Sequence, residues 1–230
     1  LGADGAGVVE EIGPGDSSFA VGDRVLINPG VSCGKCAWCL GGEQPLCHGF
    51  GILGEHRPGT LAEEIVVPGR NLAPLPAGLS WTQAAALPLA AITAWRMLTT
   101  RAGVGPGETV LIWGIGGGVA LAALKIAKLL GARVIVTSGS EEKLARARAL
   151  GADLGIHHEA DEVPAAVKQF TGGRGADVDA RDIRPPPFLA LALPEGAFAG
   201  PVGHLQGRGL LQRRERRGRQ ILGALQAEHL

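Results

Sequence analysis

Cys33, Cys36, Cys39 and Cys47 fall within fifteen residues in the pattern Cys-x2-Cys-x2-Cys-x7-Cys, and the chain holds no other cysteine. Thiolates so spaced can surround one tetrahedral metal ion, and a site with four protein ligands leaves no open position for water or substrate. The spacing therefore points to a structural zinc ion that organises a loop. An iron–sulfur run shares the spacing of the first three cysteines, but its fourth cysteine comes four residues on and precedes proline, whereas Cys47 is eight on and precedes His48. Disulfides need an oxidising compartment, and no stretch of the sequence reads as a secretory leader. A nucleic-acid finger needs a longer spacer and a recognition helix, while the flanks here are rich in Gly and Pro. Disulfides, a cluster and free thiols are the competing assignments.

A second group of residues suits phosphate. Gly114-Ile115-Gly116-Gly117-Gly118-Val119-Ala120 follows an apolar strand pattern at 109–113 and precedes a helical pattern at 119–130. Glycines there let the backbone turn tightly and approach a pyrophosphate, whose charge the helix N-terminus stabilises. Gly114, Gly116, Gly117, Gly118 and Val119 are thus expected to hold a dinucleotide. The competing reading is a turn needed only for packing. The next strand ends in Thr137-Ser138-Gly139-Ser140, with no carboxylate for an adenine-ribose 2′-hydroxyl. Ser138, Ser140 and Lys143 could donate to a 2′-phosphate, which favours NADP(H) over NAD(H).

General acid–base groups are harder to place. The chain has no Tyr, and the most suggestive polar pair is Glu55 and His56 in a Gly-rich loop, a weak candidate for proton delivery against a solvated pair. His157 and His158 stand at a strand end and read as structural or exposed.

These groups must be carried by two kinds of architecture. Short strands at 8–9, 24–27 and 61–67, separated by Gly-Pro-Gly-Asp and Gly-Asp turns, indicate β organisation. Ser80-Trp81-Thr82-Gln83 is a capping box that starts a helix through 84–86, and a second helix is expected at 89–98. From Thr109 onward, strands at 109–113, 133–137 and 153–157 alternate with helices at 119–130, 141–150 and 163–170. That is the first half of a doubly wound parallel sheet. With 230 residues, 46% hydrophobic and 19% charged, the chain can bury real cores. No apolar run reaches the roughly 18 residues that span a bilayer, so a cytoplasmic protein is expected.

Taken together, Gly5-Ala6-Gly7-Val8-Val9-Glu10, Gly22-Asp23-Arg24-Val25, the cysteine lobe, Ala90-Ala91-Ile92-Thr93-Ala94-Trp95, Gly114 to Ala120 and Gly151-Ala152-Asp153 resemble the medium-chain dehydrogenase/reductase superfamily, the zinc-type alcohol dehydrogenases and quinone reductases. The resemblance covers about residues 1–178. It implies an α/β chain: a GroES-like β domain with the zinc lobe and substrate site at 1–88, then a Rossmann domain at 89–178, both incomplete. It implies a structural zinc on the four cysteines, Thr93 beside the nicotinamide, a small-molecule substrate and, for the intact relative, a homo-oligomer. It also implies that the alcohol-polarising zinc is missing, since Ala3, Asp4 and Leu89 stand near positions where its ligands would be. Hydride transfer to or from a carbonyl, quinone or enone follows, with a non-catalytic zinc- and nucleotide-binding remnant as the alternative.

Residues 179–230 are a different kind of sequence, and the chain is expected to be truncated at its start. Asp179-Ala180-Arg181-Asp182 and Pro185-Pro186-Pro187 are not expected inside a buried parallel strand. Residues 181–230 hold eight Arg and no Lys. That composition is the one expected of an out-of-frame reading of a GC-rich gene. Nucleic-acid binding by Arg213, Arg214, Arg216, Arg217 and Arg219 is disfavoured, because no aromatic residues accompany them for stacking on bases.

Overall fold

The computed structural model describes residues 1–14 and 18–180. The Arg-rich segment lies outside the described residues. The first part is built from β1 (Ala6–Val8), β2 (Arg24–Ile27), β3 (Gly30–Val31), β4 (Gly51–Ile52) and β5 (Leu72–Pro74). Antiparallel ladders join them in the orders β1-β2-β5 and β3-β4. Alternation puts Val25 and Ile27 inside, and Ile27, Val31 and Leu53 form a small core. β3 and β4 form a pair whose two ends carry the cysteine lobe.

Residues 61–67, expected as a strand, form no ladder. Their alternation persists, because Ile65 and Val67 pack on the small core while Val66 is 99% exposed. A strand needs a paired backbone as well as an inward face. Among the described residues, only Leu61 of this segment bonds other backbone, donating to the Leu1 carbonyl at 2.9 Å.

The capping box forms as expected. The Gln83 N–H donates to Ser80 Oγ at 3.3 Å, and the Ser80 N–H to Gln83 Oε1 at 2.9 Å. Two helices were expected beyond it, but one runs through: α2 is Trp81–Trp95 with Pro88 inside, following the four-residue α1 (Ala37–Leu40) of the lobe. Pro88 cannot donate to the Ala84 carbonyl. Tertiary packing outweighs that loss, since Ala84, Pro88 and Ala94 are buried and the helix packs on the dinucleotide domain. Past Trp95 the helix widens into a π-helical run, Arg96–Arg101, with the Ala102 N–H donating five residues back to Met97 O at 2.9 Å. Arg24 stacks its guanidinium over the Trp81 ring at 4.3 Å, tying β2 to the start of α2.

The second part follows the expected alternation: β6 (Thr109–Ile112), α3 (Gly118–Leu129), β7 (Arg133–Ser138), α4 (Glu141–Ala149), β8 (Leu154–His157), α5 (Val163–Phe170) and β9 (Val178–Ala180). The sheet is parallel with order β8-β7-β6-β9. Period two sends Val110, Ile112, Val134 and Val136 to the face covered by α3, while Leu111 and Ile135 meet Val163 and Val167 of α5 on the other. Burial on both faces explains why β6 and β7 read as unbroken apolar runs. β9 includes Asp179 and Ala180, which were not expected inside a buried parallel strand. Asp179 pairs with Leu111 but is exposed, and its carboxylate accepts from Trp113 Nε1 at 2.9 Å.

Asp153, just before β8, joins strand and helix. It accepts from the Val134 N–H at 2.6 Å and from Lys128 Nζ at 2.8 Å. Burial raises its pKa, but these donors and the Lys128 and Arg133 charges outweigh burial and hold it below 3.8. A depressed folded pKa contributes stability above the unfolded value, which is lost as pH falls through the folded one. Asp153→Asn is therefore expected to lower the thermal unfolding temperature at pH 7 and to match the parent once the solution is acidified below that folded pKa. An equal deficit at both pH values would contradict the assignment.

Candidate functional site

β3 delivers Cys33, α1 delivers Cys36 at its N-cap and Cys39 inside, and a 3-10 turn, Gln44–Leu46, delivers Cys47. All four Sγ atoms lie within 4.8 Å of one another, with Cys33 to Cys39 at 3.8 Å and Cys36 to Cys39 at 3.5 Å. A tetrahedron with Zn–S bonds near 2.3 Å has edges of about 3.8 Å, so the set fits zinc. The cysteines are free thiols, which leaves the disulfide reading without support. Backbone N–H groups point at the sulfurs, from Cys36 to Cys33 at 3.4 Å, from Cys33 to Cys47 at 3.5 Å and from Gly49 to Cys47 at 3.3 Å. The Lys35 and Cys36 N–H groups, with Cys47, bring the Cys33 thiol down to about 6. At Cys36 a Cys39 backbone bond lowers the pKa, but burial and the neighbouring thiols outweigh it and raise it to about 11. Four thiols this close cannot all ionise without a cation, so the donor set is suited to a resident zinc that supplies structure only.

Four thiolates on zinc carry a net charge of minus two. Arg70 stands over Gly34 of the lobe and donates to the Ser32 carbonyl at 2.6 Å, where its charge offsets that excess. Glu43 of the lobe pairs with Arg96, the first residue of the π-helical run. The lobe is thereby fastened to the end of α2.

The glycine turn lies between β6 and α3 as expected. Gly114 N–H donates to Thr137 Oγ1 at 3.1 Å and Ile115 N–H to Thr137 O at 2.8 Å, anchoring the turn on β7. Gly116 has φ +138, and a β-carbon there would meet Lys143 Cδ at 3.1 Å. Only glycine accepts both conditions. Gly117 is the N-cap of α3 and offers no side-chain acceptor, so the first N–H groups of the helix face the turn uncapped by a side chain. Ala120 is buried where helix and strand meet.

Ser138 is buried, and its Oγ accepts from the Ser140 N–H at 3.1 Å, while Ser140 Oγ caps α4 through the Lys143 N–H at 3.4 Å. The Lys143 ammonium lies beside Gly116. One residue escapes sequence reasoning here. A β-carbon on Gly139 would lie 2.7 Å from Glu159 Oε1, so a carboxylate from the loop after β8 rests against the end of β7. The signal was available in principle, because carboxyl ends of neighbouring parallel strands lie side by side.

A cleft of about 780 Å³ opens between the β-structure and α2. Pro29, Phe50 and Ile52 form one wall, and Leu89, Ile92 and Trp95 the other, with Thr93, Arg70, Arg96 and Arg101 as polar lining. Thr93 lines the cleft, and its Oγ1 donates to Leu89 O at 2.7 Å. Helix α2 joins the two sites, since Ala90 is the neighbour that a β-carbon on Gly118 would touch, at 3.5 Å. Glu55 and His56 do not line this cleft. They sit on a turn where His56 Nδ1 accepts from the Ile52 N–H at 3.3 Å and lies 3.9 Å from Glu55.

Comparison with known proteins agrees with this geometry. The profile of the alcohol dehydrogenase GroES-like domain matches residues 1–77, and that of the zinc-binding dehydrogenases matches 118–180. An alcohol dehydrogenase of Geobacillus stearothermophilus is 37% identical over 179 residues, covering 77% of this chain and 52% of that protein. The crystal structure of an NAD-dependent alcohol dehydrogenase superposes with TM-score 0.75 at 55% identity, over 78% of this chain and 52% of the other. A quinone oxidoreductase of Pseudomonas syringae pv. Tomato gives TM-score 0.62 at 36% identity, over 78% and 47%. The chain thus spans about half the length of the relatives it matches. Among the described residues no helix is long and apolar enough to cross a membrane. With both profiles in order along the chain, a four-thiol lobe and a glycine turn on a parallel sheet, the chain belongs to the medium-chain dehydrogenase/reductase superfamily, among the zinc-type alcohol dehydrogenases.

Proposed function

We propose that this chain carries the zinc lobe, the substrate wall and the first half of the dinucleotide domain of an oxidoreductase that moves hydride between a nicotinamide and a carbonyl, quinone or enone carbon. The observation that carries this reading is α2, which touches the glycine turn through Ala90 and lines the cleft through Leu89 and Thr93. A nicotinamide bound along the turn would thereby meet a substrate in the cleft, and such positioning is a large catalytic term. Ala3 and Leu89 offer no ligand atom for a polarising metal, which favours reactions in which hydride placement dominates. Oxidation of reduced carrier with a panel of aldehydes, quinones and activated alkenes tests the assignment. Turnover of at least one class is expected, and carrier binding without any turnover would favour the non-catalytic alternative.

For the carrier, the NADP(H) expectation rests on a β7 end without a carboxylate, and Glu159 supplies one from the neighbouring loop. Its charge opposes a 2′-phosphate and suits a ribose 2′-hydroxyl, so we favour NAD(H) in spite of Ser138 and Lys143. Titrations followed by nicotinamide fluorescence should show NADH binding more tightly. Glu159→Gln should strengthen NADPH binding by about tenfold and change NADH little. An equal response of both carriers removes Glu159 from the site, and tighter NADPH binding by the parent restores the first expectation.

A further inference from the structure

The lining of the cleft is lopsided in charge. It contains Arg70, Arg96 and Arg101, and among the described residues no Asp or Glu lines it. Arg96 is offset by Glu43 behind it, and Arg70 bonds a neutral carbonyl beside the zinc lobe. Arg101 makes no side-chain hydrogen bond or ion pair among the described residues. The rest of the lining is largely apolar, with Phe50, Ile92, Trp95 and Met97, and carries the neutral polar Asn28, Gln44, Asn71 and Thr100. An exposed guanidinium with no partner among the described residues, in the lining of a largely apolar trough, recognises a molecule with an oxyanion at one end and a hydrocarbon body.

We propose that the cleft binds an amphipathic substrate whose hydrocarbon chain lies along α2 and whose distal carboxylate or phosphate is held by Arg101. Thr93, three residues on from the Ala90 that meets Gly118, and Arg101 are eight residues apart on a helix that widens after Trp95, roughly 10 Å along its axis. The reacting carbon and the anion are therefore separated by a medium-length chain rather than adjacent. This orientation rests on the reading of the function above; binding of the anion by Arg101 does not. A blander account exists, because Arg101 also ends a helical run whose terminal carbonyls favour a cation. Under that account substitution changes stability and no ligand preference.

Calorimetric titration of the zinc-loaded chain with octanoate, octyl phosphate and octan-1-ol separates the two. At low salt, one of the anions should bind about tenfold more tightly than the alcohol, and the gap should shrink in 0.5 M salt. The tighter anion identifies a carboxylate or a phosphate handle. Arg101→Gln should bring the anions to the level of octan-1-ol and leave octan-1-ol unchanged, while Arg101→Lys should keep most of the preference. Equal binding of anions and alcohol by the parent, or equal weakening of all three in Arg101→Gln, overturns the proposal. NADH titration of the same samples keeps the two readings apart. NADH binding without anion preference overturns the Arg101 assignment alone, whereas anion preference without NADH binding supports it and removes the oxidoreductase reading.

Discussion

Cys39→Ser is expected to yield chain with less than about a tenth of the zinc of the parent, because removing one thiolate from a closed site weakens it on the order of a hundredfold or more. Cys39 is buried, and its sulfur lies within 3.8 Å of two others. Serine places an oxygen there that does not ionise under the same conditions and is too short to reach the same point. The damage should spread beyond the lobe. Glu43 holds Arg96, and the lobe's Ser32 carbonyl holds Arg70, so both walls of the cleft lose a support. It should not reach the parallel sheet, whose two cores contain no lobe residue. Metal analysis together with tryptophan emission, to which Trp38 of the lobe contributes, and circular dichroism will show this. Zinc and Trp emission should change together, with helix content nearly intact. Unchanged zinc content would mean that the thiols are not the ligands. Because thiolates bind the metal, zinc should also leave the parent on acidification.

Elements whose cause is local were readable from residue types alone. The spacing of Cys33 to Cys47 needs only a short loop, and the Ser80–Gln83 box involves residues three apart. The bounds of β2 and α5 follow from unbroken local patterns. Features with distant causes were not readable. Residues 61–67 have the alternation of a strand, but pairing depends on a partner elsewhere in the chain. Residues 84–86 and 89–98 read as two helices, yet burial against the second domain keeps α2 continuous through Pro88. Asp179 reads as a breaker because its acceptor role toward Trp113 involves a residue 66 positions away. The same holds in the candidate site. Ser138 was legible as the end of a strand, while Glu159 faces it only because β7 and β8 are neighbours, and the relation of Arg101 to the cleft depends on the π-helical run after Trp95.

Gly116→Val should weaken NADH binding by about two orders of magnitude while leaving zinc content and helix content unchanged. Valine at φ +138 is strained by about 1–3 kcal/mol. Its β-carbon would also displace Lys143, whose Cδ and Cε lie 3.1 and 3.4 Å away. The fold can absorb this, since Gly116 is exposed and Val110, Ile112, Ala123 and Leu124 hold strand and helix together beneath it. Lost binding in this variant alone would be ambiguous between a moved turn and a blocked ligand. Gly117→Ala resolves the ambiguity. Gly117 has φ −78, and a β-carbon there meets nothing within 4 Å, so alanine fits the free chain without strain. A loss of NADH binding in Gly117→Ala therefore reports a molecule that needs the space in front of α3, as a pyrophosphate on the helix N-terminus does. If both variants bind NADH as the parent does, the glycine turn serves only to connect β6 to α3, and the dinucleotide assignment falls with it.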